Sequence, residues 1–155
     1  MKLTASQADL SNLLRTVAPA VNRNPSHPIL SHVLLIAAPG KLTASTYNLE
    51  IGITASCVAA VDTEGSICLP AQMLREIIDR SDDDDAITIS AADDSSTIAA
   101  AGSTYQLPTQ PAEDFPDLPA VTAKGHQLDL GAAARADRKS TRLNSSHVSE
   151  SRMPS

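Results

Sequence analysis

The sequence predicts an α+β fold made from a duplicated unit, strand-helix-three strands run twice, with both helices on one face of antiparallel sheets. Three observations predict it. Two amphipathic helical patterns, Ser6 to Val17 and Pro70 to Arg80, each follow a strand-like segment. Alternating apolar and polar runs broken by turn signals follow each helix. A constant offset of 64 sets Leu3 on Ile67, Leu10 on Leu74, Leu13 on Ile77 and Leu14 on Ile78. Each element has one apolar face to bury, and helices laid side by side on curved sheets bury them together.

Lys2 to Ala5 reads as a short strand. Ser6 is placed to cap the next helix, and Asp9 complements its positive end. Leu10, Leu13, Leu14 and Val17 form its buried stripe, Pro19 stops it, and Asn22 to Pro28 is an irregular connection. Ile29 to Ala38 and Lys41 to Thr46 read as a hairpin turning at Pro39-Gly40. Leu49, Ile51, Ile53 and Ala55 alternate with polar or small residues, the period of a half-buried strand continuing toward Val61. In the second unit Gly65 to Leu69 is a strand, Pro70 suits a first helical position, and Leu74, Ile77 and Ile78 face inward. Ala86 to Ala91, Ser95 to Ala101 and Ser103 to Leu107 complete it as three short strands. Pro108, Pro111, Pro116 and Pro119 mark a stiff connector, and Val121 to Ala136 begins a strand-then-helix pattern around Leu128 and Leu130.

The 155 residues carry a formal net charge of −6 and 42% hydrophobic residues, enough for one ordinary core. Tyr47, Tyr105 and Phe115 are the whole aromatic complement, too few for the platforms on which single-stranded nucleic-acid modules stack bases. No apolar run approaches the roughly 18 residues of a membrane span, and Asp9 interrupts the place of a secretory core. Cys57 and Cys68 form no C-x-x-C pair and read as buried thiols, so a cytoplasmic protein is expected.

No motif calls for a cofactor or a metal. The run Asp82 to Asp85 lacks the spacing that wraps a calcium ion and reads as a solvated loop. His27, His32 and His126 have no partner at ligand spacing, no nucleophile motif stands beside them, and the six glycines form no phosphate loop. The faces that the two helices leave exposed form a candidate contact surface bearing Arg15, Arg75 and Arg80, diluted by Glu76 and Asp79.

From Asp137 the texture changes to Asp-Arg-Lys-Ser-Thr-Arg-Leu-Asn-Ser-Ser-His, which looks like translated sequencing-adapter DNA, so 137–155 are expected to be a non-native, disordered tail. Setting aside its four basic and two acidic residues leaves a net charge of −8 for 1–136.

Several short motifs stand in a telling order. Met1-Lys2-Leu3-Thr4, Pro28-Ile29-Leu30 before Val33-Leu34-Leu35, Leu69-Pro70-Ala71 before Leu74 and Ile77, and Ala112-Glu113-Asp114-Phe115-Pro116-Asp117-Leu118-Pro119 resemble the bacterial sliding clamp family, the beta subunit of DNA polymerase III. The resemblance runs colinearly from Met1 to about Pro119. It implies a DNA-clamp-like first domain over 1–119, with 120–136 a linker and the start of a second domain.

It further implies a homodimeric ring around double-stranded DNA, which is bound without sequence preference, and a non-catalytic processivity factor tethering the replicative polymerase. Polymerase and clamp loader would be engaged through domains beyond these residues. The resemblance makes Arg80 a DNA-facing position, with Arg15 and Arg75 as further candidates. The family usually sets an arginine directly before the proline matching Pro25, where this chain has Asn24 preceded by Arg23, so these two share that expected contact. It assigns Ile77, Tyr105 and Leu107 to a subunit interface; Tyr47-Asn48-Leu49-Glu50 matches a hairpin feature with no assigned chemistry. The residues themselves leave two rivals: an α+β protein-interaction domain with no nucleic-acid role, and a hydrolase using acidic residues.

If the tail is adapter-derived, genomic sequence read across the Ala136 codon will diverge from residues 137–155. The same tail in genomic DNA would overturn that expectation.

Overall fold

Ser6, extended at φ −69° and ψ 149°, accepts a hydrogen bond from the Asp9 amide at 3.2 Å and returns one through its hydroxyl to the Asp9 carboxylate at 2.7 Å. This cap satisfies one of the free amides of the first turn. Strand β1 (Lys2–Ser6) thereby turns directly into helix α1 (Gln7–Val17). The protein is described by a computed structural model over residues 1–119 apart from Asp93. The expected segments 120–136 and 137–155, with His126, lie outside the described residues.

After α1 come a 3₁₀ turn at Ala18–Ala20, a second at Pro28–Ser31, and strands β2 (His32–Ala38), β3 (Lys41–Tyr47), β4 (Gly52–Val58) and β5 (Ala60–Thr63). The second half repeats the order: β6 (Gly65–Pro70), α2 (Ala71–Asp79), β7 (Ala86–Ala92), β8 (Ser95–Ala100), β9 (Ser103–Pro108) and the two-residue β10 (Gln110–Pro111). A last 3₁₀ turn covers Ala112–Asp114.

The two sheets exchange strands. One runs β5-β1-β7-β8-β9 and the other β10-β6-β2-β3-β4. Each therefore takes two strands from one half and three consecutive strands from the other. Every pairing is antiparallel, with Leu3 opposite Ile89 where β1 meets β7 and Leu35 opposite Ile67 where β6 meets β2. The last strand of each half, β5 or β10, returns beside its own first strand. The predicted repeat is thus present as an interlocked pair.

Both helices lie against these sheets. Leu3, Leu10, Leu14, Val33, Leu42, Leu69, Leu74, Ile78, Ile87, Ile89 and Ile98 belong to one continuous buried cluster that joins helices and both sheets. Gln7, buried at the start of α1, donates through Nε2 to the Ile78 carbonyl at 3.0 Å, and Thr46 on β3 donates to the Val17 carbonyl at 2.6 Å. Both acceptors lie in the last turn of a helix, where carbonyls lack intrahelical partners; the Ile78 carbonyl also accepts from the Ser81 amide at 3.1 Å.

Four segments depart from the sequence reading. Ile29 and Leu30 sit in the 3₁₀ turn and not in the strand, because Pro28 favours a helical start and its carbonyl lies 2.7 Å from Ser31 Oγ and 3.0 Å from His32 Nδ1. Leu49 and Ile51 precede β4, each 54% exposed. Asn48 Oδ1 accepts from the amides of Glu50 at 3.0 Å and Ile51 at 2.7 Å, a local turn that holds Leu49 at φ +75°. The alternation toward Val61 changes sheets at the buried Ala59, so Val61 lies in β5 opposite Leu3. Pro70 is the cap residue, one position before the first helical residue.

The proline-marked connector is structured as well: β10 pairs with Cys68 and Ile67, the buried Phe115 follows, and Leu118 lies on the Gly52 backbone, where a Cβ would overlap Leu118 Cδ2. A proline is tolerated in β10 because that strand is at an edge.

Cys57 on β4 is half-buried and Cys68 on β6 is fully buried; both are free thiols. Burial raises the Cys57 pKa, with Asp9 adding to it. Burial also pushes the Cys68 thiol up to about 12, with the Asp114 carboxylate adding to the effect.

Two outcomes follow from this architecture. Residues 1–64 and 65–119, produced separately, should each lack a cooperative thermal transition by circular dichroism and should regain one on equimolar mixing; a cooperative melt of either half alone would contradict the interlock. Cys68 keeps its proton when folded to about pH 12, whereas an unfolded thiol loses it near 9. Its contribution is therefore complete below pH 9 and declines as pH rises toward 12, by at most about 1.4 kcal/mol per pH unit. Urea titrations of wild type and Cys68→Ala across that window should show a shallower decline in the variant.

Candidate nucleic-acid interface

Helices α1 and α2 run antiparallel, as their contacts require: Gln7 bonds to Ile78, Ser11 Oγ donates to Asp79 Oδ1 at 3.3 Å, and Leu14 and Val17 share a groove with Ala71. Their inner stripes, Leu10, Leu13, Leu14 and Val17 on one and Leu74, Ile77 and Ile78 on the other, are committed to the core. The outer faces are left side by side, so the shared exposed surface expected from the periodicity is present.

The described residues contain four arginines: Arg15, Arg23, Arg75 and Arg80. All four are exposed, and all lie on the helices, their caps or the segment after α1. Arg15 stands in the last turn of α1 and Arg80 caps the C-terminus of α2, where positive charge complements the helix dipole. Among the described residues, the lysines and arginines outside this surface are Lys2, paired with Asp62 at 3.5 Å, and the exposed Lys41.

The helix faces themselves balance: Arg15, Arg75 and Arg80 stand against Asp9, Glu76 and Asp79. Arg75 Nε donates to Asp79 Oδ2 at 3.3 Å, whereas Arg15, Arg23 and Arg80 form no ion pair with a described residue. Arg23 and Asn24 are exposed after α1, where Asn22 Oδ1 accepts from the Asn24 amide at 3.1 Å.

The surface is not smooth. A groove of about 590 Å³ runs between the C-terminal half of α1, the segment containing Asn22, Arg23 and Ser31, and α2 from Ala71 to Asp79. It brings Arg23 and Arg75 to one opening, a juxtaposition the sequence did not reveal because it depends on how residues 21–31 double back. Glu76 and Asp79 also line it, but each already has a partner: Gln72 Nε2 donates to Glu76 Oε1 at 3.1 Å, and Asp79 holds Arg75 and Ser11. Among the described residues no group of three or more His, Cys, Asp or Glu is arranged to hold a metal ion, and no helix is long and apolar enough to cross a membrane. His27 is exposed; His32 is buried and bonded locally at Pro28.

Of the three residues linked to a subunit interface, Ile77 and Leu107 are core residues, 7% and 6% exposed, while Tyr105 is half-buried. Tyr105 and Leu107 lie on β9, an outer strand of its sheet. Its far edge pairs with nothing among the described residues, as is true of β4 in the other sheet.

The family model for the DNA polymerase III beta subunit, N-terminal domain, matches residues 1–119. The chain is similar to a beta sliding clamp of Synechococcus elongatus, 36% identical over 136 residues, covering 86% of this chain and 36% of the relative. A beta sliding clamp of Synechocystis is 39% identical over 130 residues, covering 78% of this chain and 33% of the relative. Among solved structures, a Caulobacter crescentus beta sliding clamp superposes with a TM-score of 0.76 at 35% identity, covering 79% of this chain and 33% of that one. A Helicobacter pylori beta clamp bound to a DNA ligase peptide gives 0.75 at 28% identity, covering 80% and 35%. The chain spans about a third of the length of these relatives. With the same two-sheet, two-helix architecture as those structures and a family match across its described residues, the chain belongs to the DNA polymerase III beta subunit family.

Proposed function

We propose that this chain supplies a domain of a DNA sliding clamp, a non-catalytic processivity factor that encircles duplex DNA and tethers the replicative polymerase in the cytoplasm. The observation carrying this reading is the placement of all four described arginines on the helix side of an otherwise acidic domain. A ring that retains DNA by enclosure needs only a few phosphate contacts, similar in energy at every register; strong or base-specific contacts would stop it sliding. Local field governs such contacts, so a short basic strip is compatible with a net negative chain.

In this reading Arg15, Arg23 and Arg80 approach phosphates, Asn24 donates a neutral hydrogen bond beside Arg23, and Arg75 joins them when it leaves Asp79. The open edge of β9, with Tyr105 at its surface and Ile77 and Leu107 packed behind, meets the neighbouring chain of a homodimeric ring. Clamp loader and polymerase are captured by regions beyond the described residues. The hydrolase alternative loses support because the two groove carboxylates are each held by a neighbour.

Topological retention tests the proposal. A full-length protein containing this domain, once loaded, should stay on nicked circular plasmid through a sizing column and be lost after the plasmid is linearised. Equal retention on both forms would indicate ordinary binding and overturn the reading.

A further inference from the structure

Asp79 lies at the meeting point of the two helices and is bonded through both carboxylate oxygens. Oδ1 accepts from Ser11 on α1 and Oδ2 accepts from Arg75 one turn back on α2, each at 3.3 Å. We propose that Asp79 is a positioning residue that holds Arg75 back from phosphate, setting how weakly this face grips a DNA backbone. The inference rests on the sliding-clamp reading and deepens it.

Asp79 and a DNA phosphate compete for the same donor. A guanidinium meets phosphate best side-on, through Nε and a terminal nitrogen together. With Nε committed to Asp79, that edge of Arg75 is occupied. Asp79 is anchored on the opposite helix by Ser11, so keeping the pair costs less side-chain freedom than a lone surface pair would lose. Glu76, on the same helix and lining the same groove, provides the contrast: its bonded partner is the neutral Gln72, and it restrains no arginine. Arg15, Arg23 and Arg80 carry no such restraint among the described residues. A carboxylate that competes with every passing phosphate lowers the depth of each contact without removing it, as motion along DNA requires.

The experiment titrates the 155-residue chain with a short mixed-sequence duplex at low salt and follows the arginine Nε–H resonances by NMR. It compares wild type with Asp79→Asn, Glu76→Gln, Ser11→Ala and the double variant Asp79→Asn/Arg75→Gln. Asp79→Asn and Glu76→Gln remove the same formal charge, but only the first frees an arginine. Asp79→Asn should tighten binding by about twofold more than Glu76→Gln, the scale of an exposed ion pair. Its Arg75 resonance should respond to duplex more strongly than in wild type, and the advantage should vanish in the double variant. Ser11→Ala alters no charge and should give a smaller gain in the same direction, which keeps the test open if Asp79→Asn unfolds.

Equal gains from Asp79→Asn and Glu76→Gln, or a gain that survives loss of Arg75, would reduce Asp79 to a simple surface charge and overturn the proposal. Arg15, Arg23 and Arg80 responding while Arg75 stays silent in Asp79→Asn would overturn the proposal alone. No arginine responding in any folded variant would overturn it too, whereas the clamp reading is decided by topological retention on circular plasmid.

Discussion

The pairing of β1 with β7, and of β6 with β2, places each half of the chain inside the sheet of the other, and the rest of the fold depends on that exchange. It brings the ends of α1 and α2 together, so that Gln7 reaches the Ile78 carbonyl and Ser11 reaches Asp79. It also explains why a single apolar cluster runs through both sheets and both helices. Once the two inner stripes are consumed by that cluster, the outer faces must lie next to one another. The arginine-bearing surface is in that sense a product of the sheets beneath it.

Much of this architecture was legible in the sequence because it follows from short-range rules. The offset of 64 aligned the helices correctly, and Leu10, Leu13, Leu14, Leu74, Ile77 and Ile78 are buried as their spacing required. Ser6 caps as its position demanded, and the hairpin turns at Pro39-Gly40, with Gly40 at φ +71°. Readings failed where a side chain rewrote local backbone preference. Asn48 folds its oxygen over two amides and lifts Leu49 and Ile51 out of an apparently regular strand; Ser31 and His32 gather at the Pro28 carbonyl. Strand exchange was also hidden, since periodicity reports which face is buried and never which partner lies alongside. The short β10 escaped notice because two residues carry no period.

At the candidate interface the division is similar. Exposure of Arg15, Arg75 and Arg80 follows from helical period, whereas the pairing of Arg75 with Asp79 one turn on is seen only in the structure. The groove shared by Arg23 and Arg75 is likewise seen only there, because it is assembled from three separate elements. Ile77 and Leu107 belong to the core of this domain, with Tyr105 and the edge of β9, unpaired among the described residues, as the surface beside them.

Strand exchange also bears on how the chain is made. During synthesis β1 and α1 emerge early, yet β1 gains its long antiparallel partner only when residues 86–92 have left the ribosome, and β2, already paired with β3, gains its other neighbour only with residues 65–70. Such distant pairings make closure slow relative to helix formation. The nascent domain therefore spends much of its translation with apolar strand surface uncovered.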